Sequence, residues 1–134
     1  MAYFADLSPY TYIGRAASAE NERVLNVGWL SRWHRFPRGS VSEEVLARIF
    51  ELCKSRVNQT KGFHSCEFCR TSGWGQLVER EGVQLRLGSA EIRVLARSGV
   101  TYTCPDMIYH YVKDHGYMPP QEFIDALLET TNGR

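Results

Sequence analysis

The feature that most constrains this chain is a pair of cysteines in a glycine-bounded turn near its middle. Residues 62–75 read GFHSCEFCRTSGWG and place Cys66 and Cys69 with two residues between them. This spacing lets two thiolates bind one metal ion through a tight turn, and it forms half of many tetrahedral zinc sites. The small and polar residues around the cysteines favour the backbone conformations of such a turn. The chain is therefore expected to fold around a metal site that residues elsewhere complete.

The second half of the site is expected about forty residues further along, in a predicted helix. His110 and His115 have the spacing that the histidines of Cys2His2 zinc sites use. Residues five apart on a regular helix point about 140° apart, so both can reach one metal only if the helix ends near His115. Gly116 follows at once and is a common helix end. The preferred ligands are therefore Cys66, Cys69, His110 and His115.

Two further residues are alternative ligands, since His64 or Cys104 can replace one of the histidines. Cys104 can instead be a small apolar residue at a helix start, and His64 a turn residue bonded to the backbone. A redox role for the cysteine pair is a third interpretation, but no parallel βαβ unit of the thioredoxin kind is visible. Cys53 lies on the apolar stripe of a predicted helix and is interpreted as a core residue.

The sequence favours structural zinc over catalytic zinc. Four protein ligands close the tetrahedron, whereas three leave a position for an activated water. The sequence has no HExxH motif, no HxE with PCxxC and no nucleophile elbow. A metal-dependent, hydrolase-like enzyme with an open zinc position is the alternative. In that case one histidine is spare, and Glu67, Asp106 or Asp114 is the candidate acid or base.

Hydrophobic periodicity predicts a single α+β domain over residues 1–134. Residues 24–30 form one predicted strand, in which Gly28 marks a bulge or a close backbone approach. Short alternating stretches separated by tight turns predict four more strands, at residues 76–78, 83–87, 91–95 and 100–103. The Gly88-Ser89 pair between two of them has the spacing of a hairpin. The expected sheet is an antiparallel β-meander.

Three helices are expected to pack against this meander, with the zinc-binding turn beside them. Ser40 and Glu43 form a predicted capping box for an amphipathic helix that runs to about Val57. A second helix is predicted from Pro105, at its first position, to a cap at Gly116. The third follows two prolines, and its apolar stripe comprises Phe123, Ile124, Leu127 and Leu128.

Composition and charge limit the partners. Sixteen basic residues nearly cancel fifteen acidic ones, whereas proteins dedicated to nucleic acids or membrane surfaces usually carry a clear positive excess. No apolar run approaches the roughly 20 residues that span a bilayer, and residues 1–10 lack the pattern of a signal peptide. A cytoplasmic location is therefore expected, and clustered cysteines in that reducing compartment more often bind metal than form structural disulfides.

A second candidate surface lies in residues 29–38, WLSRWHRFPR, where arginines alternate with aromatic residues. Guanidinium and indole groups can hold anionic partners or stack on bases, and both are enriched at protein–protein hot spots. The alternative is that the aromatic residues anchor the loop on the core while the arginines are solvated. The candidate interaction residues are Arg32, Trp33, Arg35 and Arg38.

Several stretches form a distinctive combination that covers most of the chain: ADLSPYTY, LNVGWL, FPRGSVSEE, VNQTKGFHSCEFC, LGSAEIRV and TYTCPDMIYHYVKDHGYMPPQEFIDAL. With this combination the chain resembles an uncharacterised family of small bacterial proteins with an HxCxxC…HxxxxH zinc site. The family has no assigned activity, so the resemblance implies a bacterial origin and little about mechanism. In similar sequences the position of Cys104 is often Ala, which favours the two cysteines and two histidines preferred above.

The expected function is a non-enzymatic protein-interaction or regulatory role, including neutralisation of a toxin, in a domain held together by zinc. It follows from the closed ligand set, the loop of arginines and aromatics, and the absence of a catalytic motif. The expected partner is therefore a protein. The hydrolase-like enzyme is the first alternative, and a binder of single-stranded nucleic acid is the second.

Overall fold

Five strands and three helices follow one another in the part of the chain that the structure describes. The computed structural model describes residues 3–10, 23–57, 59, 63–69 and 75–132. Part of the predicted cysteine turn, Gly62 and residues 70–74, lies outside the described residues. The α+β class with three helices is confirmed. In chain order the elements are β1 (Arg23–Asn26), α1 (Glu43–Cys53), β2 (Gln76–Arg80), β3 (Val83–Leu87), β4 (Glu91–Leu95), β5 (Val100–Pro105), α2 (Ile108–His115) and α3 (Gln121–Asn132).

The strands form two sheets, each built around an antiparallel pair of consecutive strands. The larger sheet has the order β1-β5-β4, with β4 antiparallel and β1 parallel to β5. β2 and β3 form a separate antiparallel hairpin. Its turn, at Glu81 and Gly82, has positive φ angles of 50° and 83°, which suit the right-handed twist of the paired strands.

The hairpin predicted at Gly88-Ser89 is wrong, because β3 and β4 lie in different sheets. The backbone of Gly88 is bound elsewhere: its carbonyl accepts from His64 N at 2.8 Å, and its N–H donates to Asp106 Oδ1 at 2.8 Å. A Cβ added at Gly88 would lie 2.3 Å from the carbonyl oxygen of His64. This glycine therefore joins the two sheets to the segment that precedes the cysteines.

Helix α1 is shorter than predicted and begins at a different cap. Ser42 is the N-cap, and its hydroxyl accepts from Val45 N at 3.2 Å. The capping box at Ser40 is therefore wrong. The helix ends at Cys53 rather than near Val57, because Val57 pairs with Glu91 through two backbone hydrogen bonds of 2.8 Å.

The predicted end of the first strand, near Gly28, and the predicted start of the second helix, at Pro105, also differ from the structure. β1 ends at Asn26, and the close approach expected at Gly28 is present: a Cβ there would lie 2.8 Å from Ile108 Cδ1. Pro105 does not begin a helix, because it is the last residue of β5 and pairs with Glu91. The following helix, α2, begins at Ile108.

The core lies between the larger sheet and the helices. α1 contacts α2 and α3, and α3 contacts β4. The interpretation of Cys53 as a core residue is confirmed, since its side chain is fully buried and its thiol donates to the carbonyl of Asp106. β5 is almost entirely buried, and α2 begins three residues after its end. None of the helices in the described part of the chain combines the length and the apolar character needed to cross a bilayer.

Candidate metal centre

Four side chains from two distant segments converge at one point. The thiol sulfurs and ring nitrogens of Cys66, Cys69, His110 and His115 all lie within 4.8 Å of one another. Cys69 Sγ lies 3.2 Å from His110 Nε2 and 3.5 Å from His115 Nε2. Cys66 Sγ lies 3.5 Å from His115 Nε2, and the two Nε2 atoms are 3.2 Å apart. This cluster could hold a metal ion.

Four of the six separations between the donor atoms are close to the edges of a tetrahedral coordination sphere. Zn–S bonds of about 2.3 Å and Zn–N bonds of about 2.0–2.1 Å place ligand atoms about 3.6 Å apart for an S–N pair and about 3.3 Å apart for an N–N pair. The four separations given above, 3.2–3.5 Å, lie close to those values. Four of the six pairs of donor atoms therefore have the separations of a four-coordinate metal site.

The end of helix α2 brings the two histidines together. Gly116 is the C-cap, with φ 71° and ψ 22°, and its N–H bonds to the carbonyl of Tyr111. His115 is therefore the last helical residue, and its side chain turns toward the same point as His110. The carbonyl of His115 also accepts from Arg38 Nη1 at 3.2 Å. The helix termination that the spacing requires is present.

Asp114 orients the ring of His110. His110 Nδ1 lies 2.8 Å from Asp114 Oδ2, one helical turn on. With Nδ1 engaged, Nε2 is the nitrogen left for a metal, as in carboxylate–histidine–zinc triads. Burial lowers the pKa of His110, and the Asp114 carboxylate acts against that shift. Sequence reasoning missed this role of Asp114, although its spacing of four from His110 is a signal for the contact.

The cysteine turn is held by its own backbone and by an aromatic ring. Cys66 is buried, and its sulfur accepts from Phe68 N at 3.4 Å. Burial raises the pKa of the Cys66 thiol to about 11, while the N–H groups of Phe68 and Cys69 act in the opposite direction. The Phe68 ring packs 5.3 Å from the ring of His115 and 5.7 Å from that of Tyr111.

The alternative ligands are not part of this cluster. Cys104 is fully buried in β5, opposite Ile92 of β4. His64 stands before the cysteines, where its N–H bonds to Gly88. Neither residue belongs to the group of four.

The other two candidate acids have structural partners. Glu67 Oε1 accepts from the backbone N–H of Arg32 at 3.0 Å. Asp106 is fully buried, bonds to Gly88 N, and pairs with Arg56 at 3.1 Å. Burial raises the pKa of Asp106, and the bonds from Gly88 and Arg56 oppose that shift. Both carboxylates therefore hold loops in place.

A surface cavity of about 550 Å³, which we call the arginine cleft, lies beside the metal cluster. Trp33, on its wall, is 77% exposed, so this residue does not anchor the loop on the core. Trp29 does, since it is buried and its Nε1 donates to the carbonyl of Thr103. The lining residues are Arg32, Trp33, His34, Arg35, Phe36, Arg38 and Phe68.

Two contacts join the cleft to the metal cluster. The ring of Phe36 lies 5.4 Å from that of Phe68, in the cysteine turn. Arg38 bonds to the carbonyl of His115, as described above. The same loop therefore touches both segments that carry the four clustered side chains.

Residues 2–128 match a family model described as a domain of unknown function, DUF7919. The chain belongs to the DUF7919 family. No curated protein and no solved structure matches this chain. Both segments of the metal cluster and the arginine cleft lie within the DUF7919 match. The resemblance to an uncharacterised family with a cysteine–histidine metal cluster is thus confirmed.

Proposed function

We propose that this chain is a non-enzymatic protein-interaction domain held together by a structural zinc ion. The observation that carries the proposal is the convergence of four donor atoms, from two distant segments, within 4.8 Å of one another. Two thiolates and two imidazoles form a donor set that suits zinc. In this role Cys66, Cys69, His110 and His115 are the ligands.

The closed donor set supports a structural role for the ion. Catalytic zinc keeps one position for water or substrate, whereas four protein ligands fill the tetrahedron. The ion would fasten the cysteine turn to the end of α2. Such a fastening contributes directly to folding free energy, because the site does not exist in the unfolded chain.

The arginine cleft supports the interaction role. Trp33 is a large aromatic side chain exposed to solvent and flanked by arginines, which is the composition of protein–protein hot spots. A regulatory role in bacteria, including neutralisation of a toxin, would use the same surface. All four cysteines of the chain are free thiols, which suits the reducing cytoplasm.

Metal analysis of the purified protein and two cysteine variants tests the zinc site. We expect about one zinc ion per chain in the unchanged protein. Cys66→Ser should lose the metal, because a hydroxyl is a poor zinc ligand. Cys104→Ala is the matched control: it removes an equally buried thiol outside the cluster, and it should keep the metal. A folded protein without metal, or a Cys66→Ser variant with full zinc content, would overturn the proposal.

A further inference from the structure

We propose that the arginine cleft binds an acidic peptide segment of the partner protein. In this complex, carboxylates of the peptide pair with Arg32, Arg35 and Arg38, and an apolar side chain of the peptide packs against Trp33. The inference rests on the proposed function in one respect, because it takes this cleft as the interaction surface. The inference adds the chemical character of the partner segment, which is acidic and carries an apolar side chain.

The first observation concerns the carboxylate partners of the arginines that line the cleft. Among the described residues, no carboxylate oxygen lies within ion-pair distance of Arg32, Arg35 or Arg38. The nearby Glu67 accepts from the backbone N–H of Arg32 instead. Other arginines of the chain do pair with carboxylates: Arg48, Arg56, Arg80 and Arg93. Three positive charges at one cleft therefore have no anionic partner within the described part of the chain.

The second observation is that two of these guanidinium groups are stacked on rings of the cleft. Arg32 Cζ lies 4.9 Å from the ring centroid of Trp33, and Arg38 Cζ lies 4.6 Å from that of Phe36. Stacking covers a flat face of the guanidinium and leaves its in-plane N–H donors available for a carboxylate. Arg38 uses one of these donors on the carbonyl of His115. Because the stacked groups are already held in place, less conformational entropy is lost on binding.

The balance of charge and apolar surface favours a peptide over a nucleic acid. The chain as a whole carries a formal net charge of only +1, so it lacks the broad positive field that attracts a polyphosphate backbone. Three arginines are instead grouped at a cleft of about 550 Å³, a volume that holds a few side chains. An acidic segment with a central aromatic or large aliphatic side chain matches both the arginines and Trp33.

Selection from a random-sequence peptide library tests the inference on the full, zinc-loaded chain. We expect the enriched peptides to be net acidic with a large apolar residue, and their affinity to fall as salt rises. Measured by fluorescence anisotropy, Arg35→Glu and Trp33→Ala should each raise the dissociation constant about tenfold or more. Arg97→Glu is the matched control. This variant reverses the charge of another exposed arginine, in the turn between β4 and β5, and should leave peptide binding unchanged.

Three outcomes would overturn the inference: no enrichment of acidic peptides, equal affinity in Arg35→Glu, or tighter binding of an oligothymidylate than of any selected peptide. Zinc content and the urea unfolding midpoint are measured on the same samples. If the protein is folded and zinc-loaded but binds no acidic peptide, this inference fails and the zinc site stands. If zinc is missing, the proposed function fails first.

Discussion

His110 and His115 are five residues apart on one helix, yet their Nε2 atoms lie 3.2 Å apart. A continuing helix would direct these side chains about 140° away from each other. The helix instead ends at His115, where Gly116 adopts the left-handed conformation. The geometry of the cluster therefore depends on a helix terminus as much as on the four side chains that form it.

Gly116→Ala should weaken both folding and zinc binding. At φ 71° a residue with a Cβ is strained, and the expected loss of stability is about 1 kcal/mol. No clash with the described residues adds to this, since a Cβ would meet only the carbonyl oxygen of Gly39 among them, at 3.9 Å. Because relaxation of the cap moves His115, the zinc dissociation constant should rise as well. Urea unfolding and chelator competition measure the two effects.

Gly82→Ala is the control for that variant. Gly82 has φ 83° and, like Gly116, meets no close contact: an added Cβ would have none of the described residues within 4 Å. It lies, however, in the β2–β3 turn, away from the cluster in sequence. The Gly82→Ala substitution should lower the stability by about the same amount, close to 1 kcal/mol, and leave the zinc affinity unchanged. Equal zinc affinities in the two variants would show that the helix end does not position His115.

Asp114→Ala should reduce zinc affinity without abolishing zinc binding. The variant removes the carboxylate that holds His110 Nδ1, and loss of such a partner typically costs about 10–100-fold in metal affinity. Competition with a chromophoric chelator measures the change. Asp125→Ala is the control, because Asp125 makes an equivalent contact four residues after Gln121 on α3. If the two variants bind zinc equally well, Asp114 does not orient His110.

Zinc affinity should rise with pH across the neutral range. Burial lowers the pKa values of His110 and His115 below 6.5, so protons compete for the imidazoles only in more acidic solution. The pKa of the Cys66 thiol in the metal-free site is about 11, so zinc must displace its proton throughout the neutral range. The conditional dissociation constant, measured between about pH 5 and 8, should therefore increase steadily on acidification and most steeply below the histidine pKa values. A constant value over this range would contradict thiol and imidazole ligation.

Asp106→Ala should be among the most destabilising single substitutions. It leaves the N–H of Gly88 without its acceptor and the Arg56 guanidinium without its carboxylate. Breaking a buried charged pair of this kind costs about 3–5 kcal/mol. Glu44→Ala removes an exposed ion pair with Arg48, and there the cost should stay below about 1 kcal/mol. Urea unfolding of both variants measures the difference, and equal midpoints would contradict a structural role for Asp106.

Much of the local structure was predictable because its signals are local. The strand bounds Val83–Leu87 and Glu91–Leu95 follow from alternation of apolar and polar residues, and the cap at Gly116 follows from its position after a helical stripe. The cluster was predictable because cysteine and histidine spacings restrict which side chains can share one ion. The spacing within each half carries this information, although the two halves of the cluster lie far apart in sequence.

The pairing of strands was not predictable, because it depends on contacts between distant residues. Gly88-Ser89 has the same local pattern whether it turns a hairpin or links two sheets, and bonds to His64 and Asp106 decide the outcome. The parallel pairing of Arg23 with Val100 has no local signal at all. Ser40 and Ser42 are both good caps by residue type, and only the position of the hydroxyl beside Val45 N distinguishes them.

The bond from Arg38 to the carbonyl of His115 has a consequence for how the domain would respond to metal supply. Among the described residues of the cysteine turn, only Cys66 is fully buried in the core of the larger sheet and its helices, and Phe68 and Cys69 pack against that core in part. Loss of zinc should therefore loosen the turn and the end of α2 first, and with them the arginine cleft. In a cell short of zinc, the protein would then release its partner before the whole domain unfolds, so that complex formation would report the abundance of the metal.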